Sequence, residues 1–341
     1  MSEKIKIYLT NELKETLLKD ASNFGFLKSN GDVNINNFIN TLIVNYYEEH
    51  QNKQKYLYAS IQNILSHSSL SVEERNRLSE EITHELQTIK NNQGSKKASA
   101  SISFKPTKNS ETAVEYIERV LLQNHSLSSY YASMFASYAS LPQDKRELIL
   151  FKDINDIIQK VIESKQTIIF TMNQGNDKYM AAPYKIAASY EELHNYVLAT
   201  ILSYNDALTQ QPSTFRLSKI ERLSIHEQKY AFHEEEINVY TRALRNGVQF
   251  IYHSNDQPIK VHLNEPYGKR MFERFYVHRP LPTKIEGNDY YFDCSYNQLI
   301  NYFARFGSNA VIEYPTDLAQ RMAKLHFWAY KKYNYKPEHQ E

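Results

Sequence analysis

One cysteine, eight glycines and a net charge of only +1 are what this 341-residue chain has least of. A lone cysteine, Cys294, cannot close an intrachain disulfide, so a reducing compartment is the simple expectation. Its setting, Tyr291-Phe292-Asp293-Cys294-Ser295-Tyr296, reads as a strand carrying a packed thiol. The few glycines supply no Gly-rich loop between a strand and a helix, which excludes the common phosphate cradles. No apolar run approaches the roughly 20 residues that a bilayer span needs. The opening Met1-Ser2-Glu3-Lys4-Ile5 lacks the apolar stretch of a secretory signal, so a cytoplasmic protein without a membrane partner is expected. The twelve histidines are scattered, with no His-Glu-x-x-His helix and no Cys-x-x-Cys pair. His226 and His233 flank Glu227 in what reads as a polar loop. Neither an enzyme nor a metal or other cofactor is expected. A charge near zero also means that any nucleic-acid site must be a local patch.

At this length two or three domains are expected. Lys4-Ile5-Lys6-Ile7-Tyr8-Leu9 alternates polar and apolar, as a half-buried strand does. Thr10 offers an N-cap to a helix carrying Leu13, Leu17 and Leu18 and ending near Gly25. Asn30-Gly31-Asp32 is a turn signal. A second helix starts near Asn34 and places Ile35, Phe38, Ile39, Leu42, Ile43 and Tyr46 on one face. Ser71 before Val72-Glu73-Glu74 is a capping-box pattern, opening a polar helix to about Lys90. Residues 91–97 read as a linker.

The strand and helix then return. Ile102-Ser103-Phe104-Lys105-Pro106-Thr107 stands beside Ile5-Lys6-Ile7-Tyr8-Leu9-Thr10, and Ser126-Leu127-Ser128-Ser129-Tyr130-Tyr131 beside Asn34-Ile35-Asn36-Asn37-Phe38-Ile39. Met134-Phe135 and Tyr138 continue the match to Leu42-Ile43 and Tyr46. This pattern reads as a diverged internal duplication.

A strand followed by two helices cannot bury its apolar face alone, but can pair with a second copy as an antiparallel ribbon. The first fifty residues resemble the ribbon-helix-helix arrangement. That resemblance turns Lys4, Lys6 and Tyr8 outward toward a major groove, joined by Ser103 and Lys105 of the second strand, where Pro106 removes a donor. Asn36 and Asn37, at the start of the second helix, would offer backbone N–H groups to a phosphate. Pairing within one chain and pairing between chains both stay open, as does a solvated edge strand that only dimerises.

The back half has a helix over 154–162 and strands over 167–172, 178–184, 196–202 and 215–220. Further strands are expected over 247–252, 289–294 and 310–315, with helices over 297–306 and 316–330. Three segments carry a second resemblance: Ala182-Pro183-Tyr184, Asn195-Tyr196-Val197 and Phe215-Arg216-Leu217-Ser218-Lys219-Ile220. In these the chain resembles the WYL domain, a small Sm-like β-barrel of bacterial regulators. The resemblance implies a pocket for an anionic or nucleotide-like ligand at Tyr196, Arg216 and Lys219. Asn195 replaces a stacking Trp, and Lys219 replaces an Arg with its planar fork. On a continuous strand Lys219 would point away from Arg216 unless a bulge intervenes. Gly247-Val248-Gln249-Phe250, Arg305-Phe306-Gly307 and Ala310-Val311-Ile312-Glu313-Tyr314-Pro315 resemble the ferredoxin-like extension that follows many WYL domains and aids their dimerisation.

The expected architecture is an α+β multidomain chain. It comprises a ribbon-helix-helix-like unit (1–50), a helical connector and linker (51–100), a second such unit (101–141), a helix with an Sm/SH3-like WYL barrel (142–235) and a C-terminal extension (236–341). The expected function is a homodimeric, ligand-responsive transcription regulator binding duplex DNA through the ribbon. Proteins similar in layout accompany type VI-D CRISPR effectors as accessories that bind single-stranded RNA, which is the main alternative. A scaffold without a nucleic-acid partner is the other.

Overall fold

Thr10, Asn34 and Ser126 each turn a side-chain oxygen onto the first turn of a helix, and these caps set the frame of the first half. They accept from the backbone N–H of Leu13, Asn37 and Ser129, satisfying donors that a helix start leaves open. The computed structural model describes residues 3–91, 99–122, 126–172, 175–189, 191–252 and 257–334, so most of the expected linker lies outside the described residues. Two compact units are present, Met1–Asp153 and Ile154–Glu341.

The first unit runs β1 (Ile5–Leu9), α1 (Asn11–Asn23), α2 (Ile35–Leu65), α3 (Val72–Asn91), β2 (Ala100–Phe104), α4 (Glu111–Tyr116), a wide π turn (Ile117–Leu121), α5 (Leu127–Ala139) and α6 (Gln143–Leu150). β1 and β2 pair antiparallel within the one chain. Ile5 faces Phe104, Lys6 faces Ser103 and Ile7 faces Ile102. Lys6 and Ser103 are sequence counterparts, and Ile7–Ile102 repeats Ile5–Phe104 with the copies exchanged. The ladder is therefore symmetric about Lys6 and Ser103.

The helices keep the same symmetry. Phe38, Ile39, Leu42, Ile43 and Tyr46 of α2 are buried, and so are their counterparts Tyr130, Tyr131, Met134, Phe135 and Tyr138 of α5. With Ile7, Leu9, Ile102 and Phe104 they form one core. Each such apolar side chain contributes about 1.5–3 kcal/mol on burial. The unit continues through α6, beyond the Leu141-Pro142 signal that marked its end in the sequence, because Ile149 and Leu150 lie in this same core. α2 is also far longer than the apolar stripe traced in the sequence to Tyr46. Its polar second half pairs with α3, where Gln62 Nε2 donates to Asn76 Oδ1 at 2.7 Å. The Ser71–Glu74 box closes as the sequence indicates, at 2.9 and 3.2 Å.

The second unit takes in α7 (Lys152–Ser164) from Ile154 onward. β3 (Gln166–Met172), β4 (Lys178–Ser189), β5 (His194–Tyr204), β6 (Ala207–Arg216) and β7 (Ile220–Lys229) follow, then α8 (Glu234–Asn246). The strands form an antiparallel sheet in the order β6-β5-β4-β3-β7. Pro183 cannot donate to a ladder, and the β4/β5 register shifts beside it, between Pro183 and Lys185, where a bulge accommodates proline. Phe170 and Phe215 meet edge to face at 5.0 Å inside the sheet. Residues 215–220 are not one strand. A 3₁₀ turn, Leu217–Lys219, splits them between the end of β6 and the start of β7, as the chain crosses from one edge of the sheet to the other.

The remainder runs β8 (Ile259–Leu263), α9 (Tyr267–Arg274), β9 (Pro282–Glu286), β10 (Asp289–Phe292), α10 (Tyr296–Phe303), a 3₁₀ stretch (Ala304–Asn309), β11 (Ala310–Tyr314) and α11 (Thr316–Asn334). The sheet order is β11-β8-β10-β9, all antiparallel. The strand expected over 247–252 does not form. Gly247, at φ 128°, ends α8, and Val248, Phe250 and Tyr252 are buried from a turn and the irregular segment after it, without a ladder. Period-two burial produced the strand signal; Asn246 and Tyr252 reach Asp293 O instead of a neighbouring strand.

Candidate nucleic-acid interface and ligand pocket

On β1 the alternation puts Lys6 and Tyr8 on the open face of the ribbon while Ile7 and Leu9 are buried. Lys4 and Lys105 are exposed and Ser103 is half-buried opposite Lys6. Tyr8 keeps 54% of its surface exposed, enough for a ring face to meet a ligand. The Lys6 ammonium lies 5.0 Å from that ring's centre, a cation–π contact that holds donor and ring side by side.

Two side chains at the helix starts fasten the ribbon. The Tyr8 N–H donates to Ser128 Oγ at 3.0 Å, and the Lys105 N–H donates to Asn36 Oδ1 at 2.7 Å. Tyr8 and Lys105 are counterparts in the duplication, as are Ser128 and Asn36, so one bond is the image of the other. Asn36 thus has a structural bond as well as a place at the helix start. Asn37 donates its N–H to Asn34 Oδ1 at 3.1 Å. Asn40, which the sequence reading passed over, is the buried hub beneath. Its amide donates to Asn36 O at 2.7 Å and Lys105 O at 3.1 Å. Its oxygen accepts from Thr107 N at 3.2 Å and from the Ser110 hydroxyl. Helical phase sets Asn40 beside Asn36 on the flank of the apolar stripe, so periodicity alone did not single it out.

In the second unit Tyr196 and Arg216 are directly opposed across β5 and β6. Arg216 Nε donates to Ser218 Oγ at 3.1 Å within the 3₁₀ turn, which also carries the half-buried Lys219. Sequence reasoning missed the neighbours. The Tyr196 hydroxyl donates to Glu192. Glu191 Oε1 accepts the His278 N–H at 2.7 Å, and the His278 ring nitrogen Nε2 stands 3.6 and 3.8 Å from Glu191 and Glu192. A carboxylate therefore already holds one donor of the expected anion pocket.

α8 covers another part of this sheet. Glu236 accepts from Thr200, Tyr230 and the His233 N–H at 2.5, 2.8 and 2.8 Å. Tyr240 stacks on Tyr184 at 4.7 Å, and burial raises its hydroxyl pKa. His262, Asp289 and Glu313 converge as metal ligands can. Lys260 stands among them, 2.7 Å from Asp289 and 2.6 Å from Glu313, so a lysine already supplies the positive charge. Among the described residues no helix is long and apolar enough to cross a membrane.

No protein-family model matches the chain, and no curated protein matches its sequence. Its fold is shared with a solved structure titled "Crystal structure of a CRISPR Cas-related protein". The TM-score is 0.70 at 20% identity, covering 98% of this chain and 95% of that one. Proteasome accessory factor B/C (PafBC) of Arthrobacter aurescens aligns at TM-score 0.26 and 12% identity, over 69% of this chain and 37% of that chain, too little to carry an argument.

Proposed function

We propose that this chain is a nucleic-acid-binding regulator or accessory protein of the WYL type. In this reading the ribbon contacts nucleic acid and the second unit binds an anionic or nucleotide-like ligand. Several features support the assignment of parts. The order β6-β5-β4-β3-β7, with a 3₁₀ turn before its last strand, suits an Sm-like barrel. The β-α-β-β-α-β run with order β11-β8-β10-β9 suits a ferredoxin-like extension. The symmetric ladder and its paired clamps suit a duplicated ribbon-helix-helix.

The observation that carries the nucleic-acid reading is the open ribbon face, with Lys6 beside exposed Tyr8 and Lys105 on the second strand. A ribbon of this kind fits a major groove, so duplex DNA is the first reading. The whole-length fold likeness to a CRISPR Cas-related protein favours a second, in which the same face takes unpaired RNA and Tyr8 stacks on a base. The part played is binding rather than catalysis, by a homodimer in the cytoplasm. The test is a titration of the full chain with duplex DNA, single-stranded DNA and RNA of one sequence at one salt concentration, with Lys6→Ala and Tyr8→Ala beside the wild type. Binding to any of the three that both variants weaken supports the ribbon. Binding that neither variant changes overturns it.

A further inference from the structure

α11 leaves its core after two turns. Leu318 and Met322 are buried, but beyond Met322 none of the described side chains is. Phe327, Trp328, Tyr330 and Tyr333 are 50, 60, 65 and 91% exposed. So many large aromatics in water on one helix mark a contact surface.

Their arrangement is specific. Lys324, Phe327, Trp328 and Lys331 recur at i, i+3, i+4 and i+7, so they share one helix face. That face points away from Leu318 and Met322. The Lys331 ammonium lies 4.8 Å from the Phe327 ring centre and 5.3 Å from that of Trp328. The two rings are 6.0 Å apart at 65°. Arg321 and Lys332 add positive charge, and Asp317, paired with Arg321 at 3.9 Å, is the helix's one acid.

We propose that this face binds an unpaired nucleic-acid strand, with bases stacking on Phe327 and Trp328 and phosphates held by Lys324 and Lys331. Interleaved rings and cations match a ligand that itself alternates bases and phosphates. A membrane-surface helix instead separates its cations from its aromatic side. A second copy of α11 would bring the same cations against each other. A duplex hides its base faces, so the rings select an unpaired strand. The inference takes only the class of ligand from the function proposed above; the site is a different one.

Trp328 is the chain's single tryptophan, so its fluorescence reads this face alone. The experiment titrates the full chain with oligo(U), oligo(dU) of about 15 nucleotides and a duplex of equal length, following both tryptophan emission and oligonucleotide anisotropy. The expected result is quenching by one or both unpaired strands, the stronger of them identifying the sugar. Trp328→Ala should weaken that binding about tenfold or more, while Trp328→Phe keeps most of it. Lys324→Ala and Lys331→Ala should each lower the salt slope by about 0.7. These positions are exposed, and an unchanged circular dichroism melt verifies each variant. Unpaired strands that bind without quenching overturn the proposal, as does quenching by the duplex alone. So does an emission change that follows protein concentration or anionic vesicles and not oligonucleotide. Failure of the ribbon looks different, because duplex binding is then absent while Trp328 still responds to unpaired strands.

Discussion

Arg146 grips Asp20 with two guanidinium nitrogens, Nε on Oδ2 at 2.7 Å and Nη2 on Oδ1 at 2.9 Å. Asp20 is fully buried and also accepts from the Tyr138 hydroxyl at 3.0 Å. α6 is thereby fixed to α1 and α5. Removing one partner of such a pair strands a charge in the core. Arg146→Ala should destabilise the first unit by about 3–5 kcal/mol in urea denaturation. Arg146→Lys should recover only part, since the fork is lost. A loss below about 1 kcal/mol would put the pair among surface bridges in energy.

The same contact sets how short the first unit can be made. A fragment of residues 1–141 lacks Arg146, Ile149 and Leu150 and leaves the Asp20 carboxylate without its cation, held by the Tyr138 hydroxyl. A fragment of residues 1–153 keeps all three. The longer should be soluble, helical and melt cooperatively; the shorter should melt lower or aggregate. Equal melting temperatures for the two would show that α6 is dispensable.

His50 makes the first unit sensitive to acid. It is buried on α2, 2.9 Å from the Gln54 amide and edge to face with Tyr130. Burial, helped by the Lys53 charge, lowers its pKa to about 4. In the unfolded chain a histidine titrates near 6.5, so protonation favours unfolding. The stabilising contribution is fully present above about pH 6.5 and disappears as pH falls toward 4, a loss of at most about 3 kcal/mol. Urea midpoints at pH 7, 5.5 and 4.5 should fall steeply for the wild type and less for His50→Gln. Parallel curves would remove His50 as the cause.

At the pocket proposed for the second unit, Arg216→Ala should abolish binding of nucleotides or short oligonucleotides, and Arg216→Lys should restore it only in part. Glu192→Gln should act in the opposite direction. It removes a negative charge that holds the Tyr196 hydroxyl, so anion affinity should rise severalfold. Calorimetric titration of the three variants decides it. Affinity unchanged in all of them would make this stretch of β5 and β6 structural.

Much of the first unit was legible because its signals are local and agree with one another. β1 alternates, Thr10, Asn34 and Ser126 cap, and the two copies share one phase. The far half of α2 was not legible, because there Leu57, Ile61 and Leu65 form only a thin apolar stripe among polar residues, beside α3. β9 was missed for a related reason. It is an edge strand with every residue after Pro282 exposed, so burial leaves no period to read. Tyr196 and Arg216 were placed together by the likeness of their segments to a family. Glu192 and His278 were not, since one lies in a turn and the other far along the chain, and neither belongs to a periodic pattern.

The joining of both ribbon strands in one polypeptide frees them from identity. A ribbon assembled from two copies of a chain must show every residue twice, and so suits a target that reads alike from either end. Here Lys4, Lys6 and Tyr8 stand on one strand and Ser101, Ser103 and Lys105 on the other. Each strand can change without altering its mate, provided Ser128 and Asn36 keep their grip. A target read by such a ribbon has a direction, and its two halves have no need to mirror each other.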